Sequence, residues 1–229
     1  MTEKNVGKGT RGVVCDMDGV IFDTQIFYNE SYREAGKHYG VDKNEIEEII
    51  VGTMGVNRPE SILAIKKMQG QDFPAEAMIS LMLEIFNRRV EKEGLPKKPG
   101  VCELLKWLKE NGFRTGLASS TERDRILRYL KSAGLESYFD FITGGDKVEN
   151  GKPAPDIYLQ ACENMGVDPV ETYGVEDSYN GIRAVYNAGM KAIMVPDSLQ
   201  PTEEIRPLIF RKFDSLNGFL EYLKEEYSI

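Results

Sequence analysis

Two aspartates one residue apart, Asp16 and Asp18, stand directly behind the apolar run Val13-Val14-Cys15 and directly before Gly19. The β-branched residues favour a buried strand, and the glycine permits a sharp turn after the second acid. Both carboxylates then lie at the carboxyl end of a strand, where open α/β sheets hold their ligands. Anions this close repel, so the pair calls for a cation between them or a raised pKa on one. Aspartates after a strand also cap helices and make turns, so the rest of the chain decides what these two do.

Three further segments carry chemistry: Leu117-Ala118-Ser119-Ser120, the loop Gly151-Lys152-Pro153-Ala154-Pro155-Asp156, and Gly174-Val175-Glu176-Asp177-Ser178 running on to Ile182. A carboxylate in line with a phosphorus atom is a nucleophile able to form an aspartyl phosphate, and a second acid can protonate the departing oxygen. Asp16 suits the first role and Asp18 the second. Acceleration of phosphate monoester hydrolysis reaches about 10²¹-fold, of which a positioned acid/base gives only about 10²–10⁴, so charge neutralisation must supply most of it. Mg²⁺ fits, because it prefers oxygen ligands and keeps waters beside one or two carboxylates. The Asp16 carboxylate, the Asp18 main-chain carbonyl and Asp177 would hold it, with Glu176 as a supporting or additional contact.

Ser119 ends its strand, and its hydroxyl and the following amide, that of Ser120, can donate to phosphoryl oxygens. Its other reading is helix capping, a task better suited to Thr121, with Asp124 three residues on. Lys152 is either a solvated loop lysine or one ammonium aimed by Pro153 and Pro155 at a fixed anion. Glu176 and Asp177 close an apolar strand, which disfavours a solvated acidic turn, and Ser178 is the cap of the helix that follows.

These motifs need elements to bring them together. Strands and helices alternate after residue 100: helix Val101–Glu110, strand Phe113–Ala118, helix Glu122–Ala133, strand Phe139–Thr143, helix Pro155–Met165, strand Thr172–Val175, helix Asn180–Ala188, strand Lys191–Val195 and a last helix from Leu216 to about Glu225. Alternation of this kind calls for a parallel sheet, and right-handed crossovers place the strand carboxyl ends, with Asp16, Ser119 and Asp177, on one edge. Between the first strand and this run, residues 24 to 93 read as wholly helical, with stops at Gly40, Gly52, Gly70 and Gly94 and a start at Asp42, followed by Glu45. The run Glu93–Gly100, rich in proline and glycine, reads as a stiff linker.

At 229 residues the chain has length for one large or two small domains. A formal net charge of −8 without a basic block argues against nucleic acid as a partner. An anionic substrate remains acceptable, since a Debye length of about 8 Å screens distant carboxylates. Cys15, Cys102 and Cys162 show no paired spacing, and His38, the only histidine, reads as a helix-surface residue. No signal peptide or membrane span is evident, so the expected location is the cytoplasm.

With its four motifs the chain resembles the haloacid dehalogenase superfamily, in the branch that includes β-phosphoglucomutase and phosphoglycolate phosphatase-like enzymes. Asp16 and Asp18 match the Asp-x-Asp-Gly-Val motif, Ser119 the small-Ser motif, Lys152 the Gly-Lys-Pro motif, and Glu176 and Asp177 the Glu-Asp-Ser motif. The resemblance implies an α/β fold: a Rossmann-like parallel-sheet core from residues 1–24 and 96–229, with an inserted all-helical cap domain over 25–95. It implies a Mg²⁺-dependent phosphatase acting on a small phosphorylated metabolite, such as a sugar phosphate, as a monomer or weak dimer. Arg58 is then a cap contact to substrate or a surface arginine. The alternative is a phosphosugar mutase, but the mutases of this branch have a lysine at Met54 and a histidine at Tyr28. Phosphonoacetaldehyde hydrolases align a Schiff-base lysine with Arg58, whose guanidinium cannot form that adduct. Dehalogenases lack the second acid, Asp18. A signalling receiver and a binding module without catalysis are the non-enzymatic readings. The helical insert and the Gly-Lys-Pro-x-Pro loop oppose the first, and a full set of charged groups opposes the second.

Overall fold

The computed structural model describes residues 11–53, 58–197 and 199–227. The chain divides into two compact units, one of residues Thr24–Leu95 and the other of the segments on either side.

The larger unit is built on a six-stranded sheet of β1 (Gly12–Cys15), β2 (Arg114–Ser119), β3 (Phe141–Gly144), β4 (Thr172–Glu176), β5 (Lys191–Met194) and β6 (Arg211–Lys212). Every pairing is parallel and the order is β3-β2-β1-β4-β5-β6. This is the doubly wound α/β order, whose strand sequence reverses beside β1 and opens a crevice there. The first four strands in chain order are buried nearly throughout, as expected of strands covered on both faces.

The helices of this unit are α5 (Val101–Glu110), α6 (Arg123–Ala133), α7 (Asp156–Met165), α8 (Tyr179–Asn187) and α9 (Leu216–Tyr227). α7 packs on β1, β2 and β3, while α8 packs on β4 and β5. Their buried side chains, among them Ile157, Ala161, Ile182 and Val185, join Val14 and Ala118 in one apolar core. The expected helix and strand limits are met to within two residues; the two-residue β6, exposed and charged, has too little apolar pattern to be read from sequence.

α6 shows one local difference. It starts at Arg123 and Thr121 does not cap it; the Arg123 N–H instead donates to Asp146 Oδ1 at 2.8 Å, a carboxylate from beyond β3. An ionised acceptor suits the positive helix end better than a hydroxyl does. Gly144 and Gly145 permit the approach, since a Cβ on either would lie 2.4 Å from backbone of the Ser120–Arg123 segment.

The smaller unit holds α1 (Thr24–His38), α2 (Lys43–Gly52), α3 (Arg58–Gln69) and α4 (Ala75–Glu93). Its core is formed by Tyr32, Ile46, Ile49, Ile65, Met78, Met82 and their neighbours. Asp42 and Glu45 form the reciprocal cap of α2 that their spacing predicts. Gly36 lets α1 and α2 meet closely, because a Cβ there would lie 1.8 Å from Ile46 Cδ1. His38 is exposed in the last turn of α1.

Candidate active site

Register brings the candidate residues together. Cys15 is level with Leu117 on β2 and with Val175 on β4, so one residue later Asp16 lies between Ala118 and Glu176. Ser119 and Asp177 follow on the neighbouring strands. The Asp16 N–H donates to Val175 O at 2.9 Å, which carries the pairing up to the first acid. Beyond it the chain turns: the Ile21 and Phe22 N–H groups both reach back to Met17 O at 2.9 Å. Gly19, at φ 80°, is required here twice over, since a Cβ would also lie 2.1 Å from Asp177 Oδ2.

Lys152 is the centre of the charge arrangement. Its Nζ donates to Asp16 Oδ1 at 2.5 Å, to Glu176 Oε1 at 2.6 Å and to Ala118 O at 3.1 Å, which satisfies all three of its protons. The side chain is only 8% exposed, far from a solvated loop lysine. Burial alone would lower its pKa, but the two carboxylates outweigh burial and hold it above the ordinary lysine range. Pro153, joined to it by a cis peptide bond, leads into α7.

Asp16 is 7% exposed. Burial raises its pKa most, Lys152 pulls it back, Glu176 and Asp18 raise it again, and the net value is about 8. Asp177 is pushed well above the carboxylate range by burial, then by Glu176, Asp16 and Asp197. Oxygens of Asp16, Glu176 and Asp177 all lie within 4.8 Å of one another, against the single ammonium of Lys152. Asp16 and Asp177 offer hard oxygen donors, and three carboxylates facing the Lys152 ammonium leave an excess of negative charge, which fits a divalent cation such as Mg²⁺.

Ser119 is fully buried at the end of β2, and its Oγ accepts from the Thr121 N–H at 3.1 Å. As an acceptor there, it keeps its own proton to donate. Ser120 is exposed just past it. Asp18 is half-buried and near enough to act on Asp16 electrostatically. Ser178 caps α8 by accepting from the Gly181 N–H at 3.1 Å. Arg58, in the helical unit, donates from Nη2 to Ser80 Oγ at 2.9 Å. Met54–Asn57, which precede it, lie outside the described residues.

Sequence reasoning missed Tyr158, Gly181 and Asp197. The Tyr158 hydroxyl donates to Glu176 Oε1 at 2.7 Å, and its own pKa is driven well up by burial and then by the charges of Glu176 and Asp16. The signal was available: a tyrosine on the inward face of the helix that opens after the lysine loop needs a partner for its hydroxyl. Asp197 bonds Lys98 at 2.6 Å, a pairing that only the fold reveals.

A doubly wound sheet with carboxylates, a hydroxyl and an ammonium gathered at its switch point has the form of an α/β enzyme site, and comparison with known proteins gives the family. The haloacid dehalogenase-like hydrolase family model matches residues 13–195, and the chain belongs to that family. It is 35% identical to the phosphorylated carbohydrates phosphatase of Thermotoga maritima, over 79% of this chain and 82% of that protein. It is 28% identical to hexitol phosphatase B of Escherichia coli, over 80% of this chain and 82% of that one. The β-phosphoglucomutase of Clostridium difficile superposes with a TM-score of 0.70 at 26% identity, covering 96% of this chain and 97% of that one. The chain is thus an enzyme of the phosphoric monoester hydrolase class. No helix among the described residues is long and apolar enough to cross a membrane.

Proposed function

We propose that the protein is a Mg²⁺-dependent phosphatase of small phosphorylated carbohydrates that works through an aspartyl phosphate on Asp16. The observation that carries this reading is the buried Lys152–Asp16 contact beside two further carboxylates. Asp16, the Asp18 main-chain carbonyl and Asp177 would hold the cation, which when bound supplies positive charge to the phosphoryl oxygens.

The chain's own residues do the rest. A carboxylate oxygen of Asp16 attacks phosphorus, the bond to the ester oxygen breaks, and Asp18 gives that oxygen its proton. Water, deprotonated by Asp18, then attacks the same phosphorus and releases phosphate, restoring Asp16. Lys152 holds one oxygen of Asp16 in place, while Ser119 and the Ser120 amide donate to the phosphoryl group. Residues 25–95 are proposed as the cap that selects the substrate, with Arg58 as a contact to it. The names of the carbohydrate and hexitol phosphatases support the substrate class.

A phosphosugar mutase is the second reading, supported by the likeness to β-phosphoglucomutase and opposed by tyrosine at position 28, whose ring stacks on Phe86 at 4.3 Å. One assay separates the two: released phosphate and isomerised ester are both quantified over a panel of sugar and polyol phosphates. Phosphate in excess is expected, abolished in Asp16→Asn. Isomer in excess, or an active Asp16→Asn protein, overturns the reading.

A further inference from the structure

Glu176 is fully buried and heavily used by its own chain. Its Oε1 accepts from Lys152 Nζ at 2.6 Å and from the Tyr158 hydroxyl at 2.7 Å. Its Oε2 accepts from Ser178 Oγ at 3.1 Å and faces the Asp177 and Ser178 N–H groups at 3.2 and 3.4 Å. A carboxylate has about four lone-pair sites, and five donors surround this one. α8 closes the remaining side, because a Cβ on Gly181 would lie 1.8 Å from Glu176 Cδ. Such a group has little left to offer a cation, and its position is set by the protein before any ligand arrives.

Tyr158 is the member of this arrangement that the proposed reaction leaves without a role. It is 0% exposed in the first turn of α7, and its ring centroid lies 5.1 Å from Lys152 Nζ. We infer that Tyr158 is a positioning residue, which pins Glu176 Oε1 so that Glu176 anchors Lys152 and does not ligate the metal. An ammonium on a four-carbon stem has no preferred direction of its own. Lys152 points one proton at Asp16 because its other two are held by Ala118 O and by Glu176 Oε1, and the second of these acceptors is fixed by the phenol. The inference rests on the reading in which Lys152 serves Asp16.

Tyr158→Phe removes one oxygen and keeps the ring. Tyr173→Phe is its control: this tyrosine is also buried, its hydroxyl lies 3.0 Å from that of Tyr227, and it stands near the opposite end of β4. Steady-state hydrolysis of p-nitrophenyl phosphate, thermal unfolding, and calorimetric Mg²⁺ binding to substrate-free protein are measured on both. For Tyr158→Phe, kcat should fall about ten-fold, with KM and Mg²⁺ affinity each within about two-fold and a Tm no lower than the control's. The control should keep the wild-type kcat. Wild-type kcat in Tyr158→Phe, an equal loss in the control, a loss explained by a lowered Tm, or a matching loss of Mg²⁺ affinity overturns the inference. Asp16→Asn, assayed alongside, separates the two levels: if it is active the reading of Asp16 fails, whereas if it is inactive and Tyr158→Phe is fully active only the role of Tyr158 fails.

Discussion

Asp18 has two tasks in the proposed reaction, and a substrate with a good leaving group separates them. p-Nitrophenolate departs without a proton, so transfer to Asp16 needs no acid, but the water that follows still needs a base. Asp18→Asn is therefore expected to release about one equivalent of nitrophenol per enzyme in a burst and then stall, its steady rate lower by about 10²–10⁴-fold. Stopped-flow absorbance checks this; a slow linear release without a burst would remove Asp18 from the second step. At this scale the sequence was informative where spacing itself carries chemistry. Asp16, Asp18, Ser119, Lys152, Glu176 and Asp177 were all readable as candidates from strand ends and one proline-bounded loop. Tyr158 carried only the general signal that a buried phenol needs a partner; that the partner is Glu176, 18 residues away, shows only after α7 has packed.

Among the elements, α8 is placed by the residue it lacks. Gly181 lies in the first turn of α8, directly against the Glu176 carboxylate, so an added methyl group must displace either the helix or the anchor of Lys152. Gly181→Ala is expected to cost about 1–3 kcal/mol of stability by overpacking and to lower kcat as well. Urea unfolding and the phosphatase assay read the two effects, and a variant with unchanged midpoint and rate would contradict the packing described. Alternating strand and helix signals made the sheet legible, since buried parallel strands are short apolar runs bounded by turns. The start of α6 was legible to within one residue but its cap was not: Thr121 and Asp124 have the local pattern of a cap, but Asp146, from beyond β3, takes that position. Such a cap in trans leaves no mark in the local sequence.

For the whole molecule, the two connections to the helical unit run side by side. The Asp23 N–H donates to Pro96 O at 2.8 Å, and the Lys98 N–H donates to Ile21 O at 2.9 Å. Lys98 Nζ adds an ion pair to Asp197 at 2.6 Å, beyond β5. Because the ends already meet, replacing residues 24–95 with a short glycine-serine loop is expected to leave a sheet unit that unfolds cooperatively and still binds Mg²⁺. Selectivity among sugar phosphates should be lost with the proposed cap. Circular dichroism melts and calorimetry measure the first part, and a non-cooperative melt would show that the larger unit needs the smaller one to fold. Composition and charge alone were mute on substrate, because specificity lies in side chains whose mutual placement periodicity does not encode.

In the proposed reaction Asp16 becomes covalently phosphorylated. The most direct test is mass spectrometry of enzyme acid-quenched during turnover of a sugar phosphate, with fragmentation of the peptide that carries residues 12–33. The expected result is the added mass of one phosphoryl group on Asp16, absent from Asp16→Asn. Turnover with that peptide unmodified, or with the phosphoryl group on another residue, would contradict it.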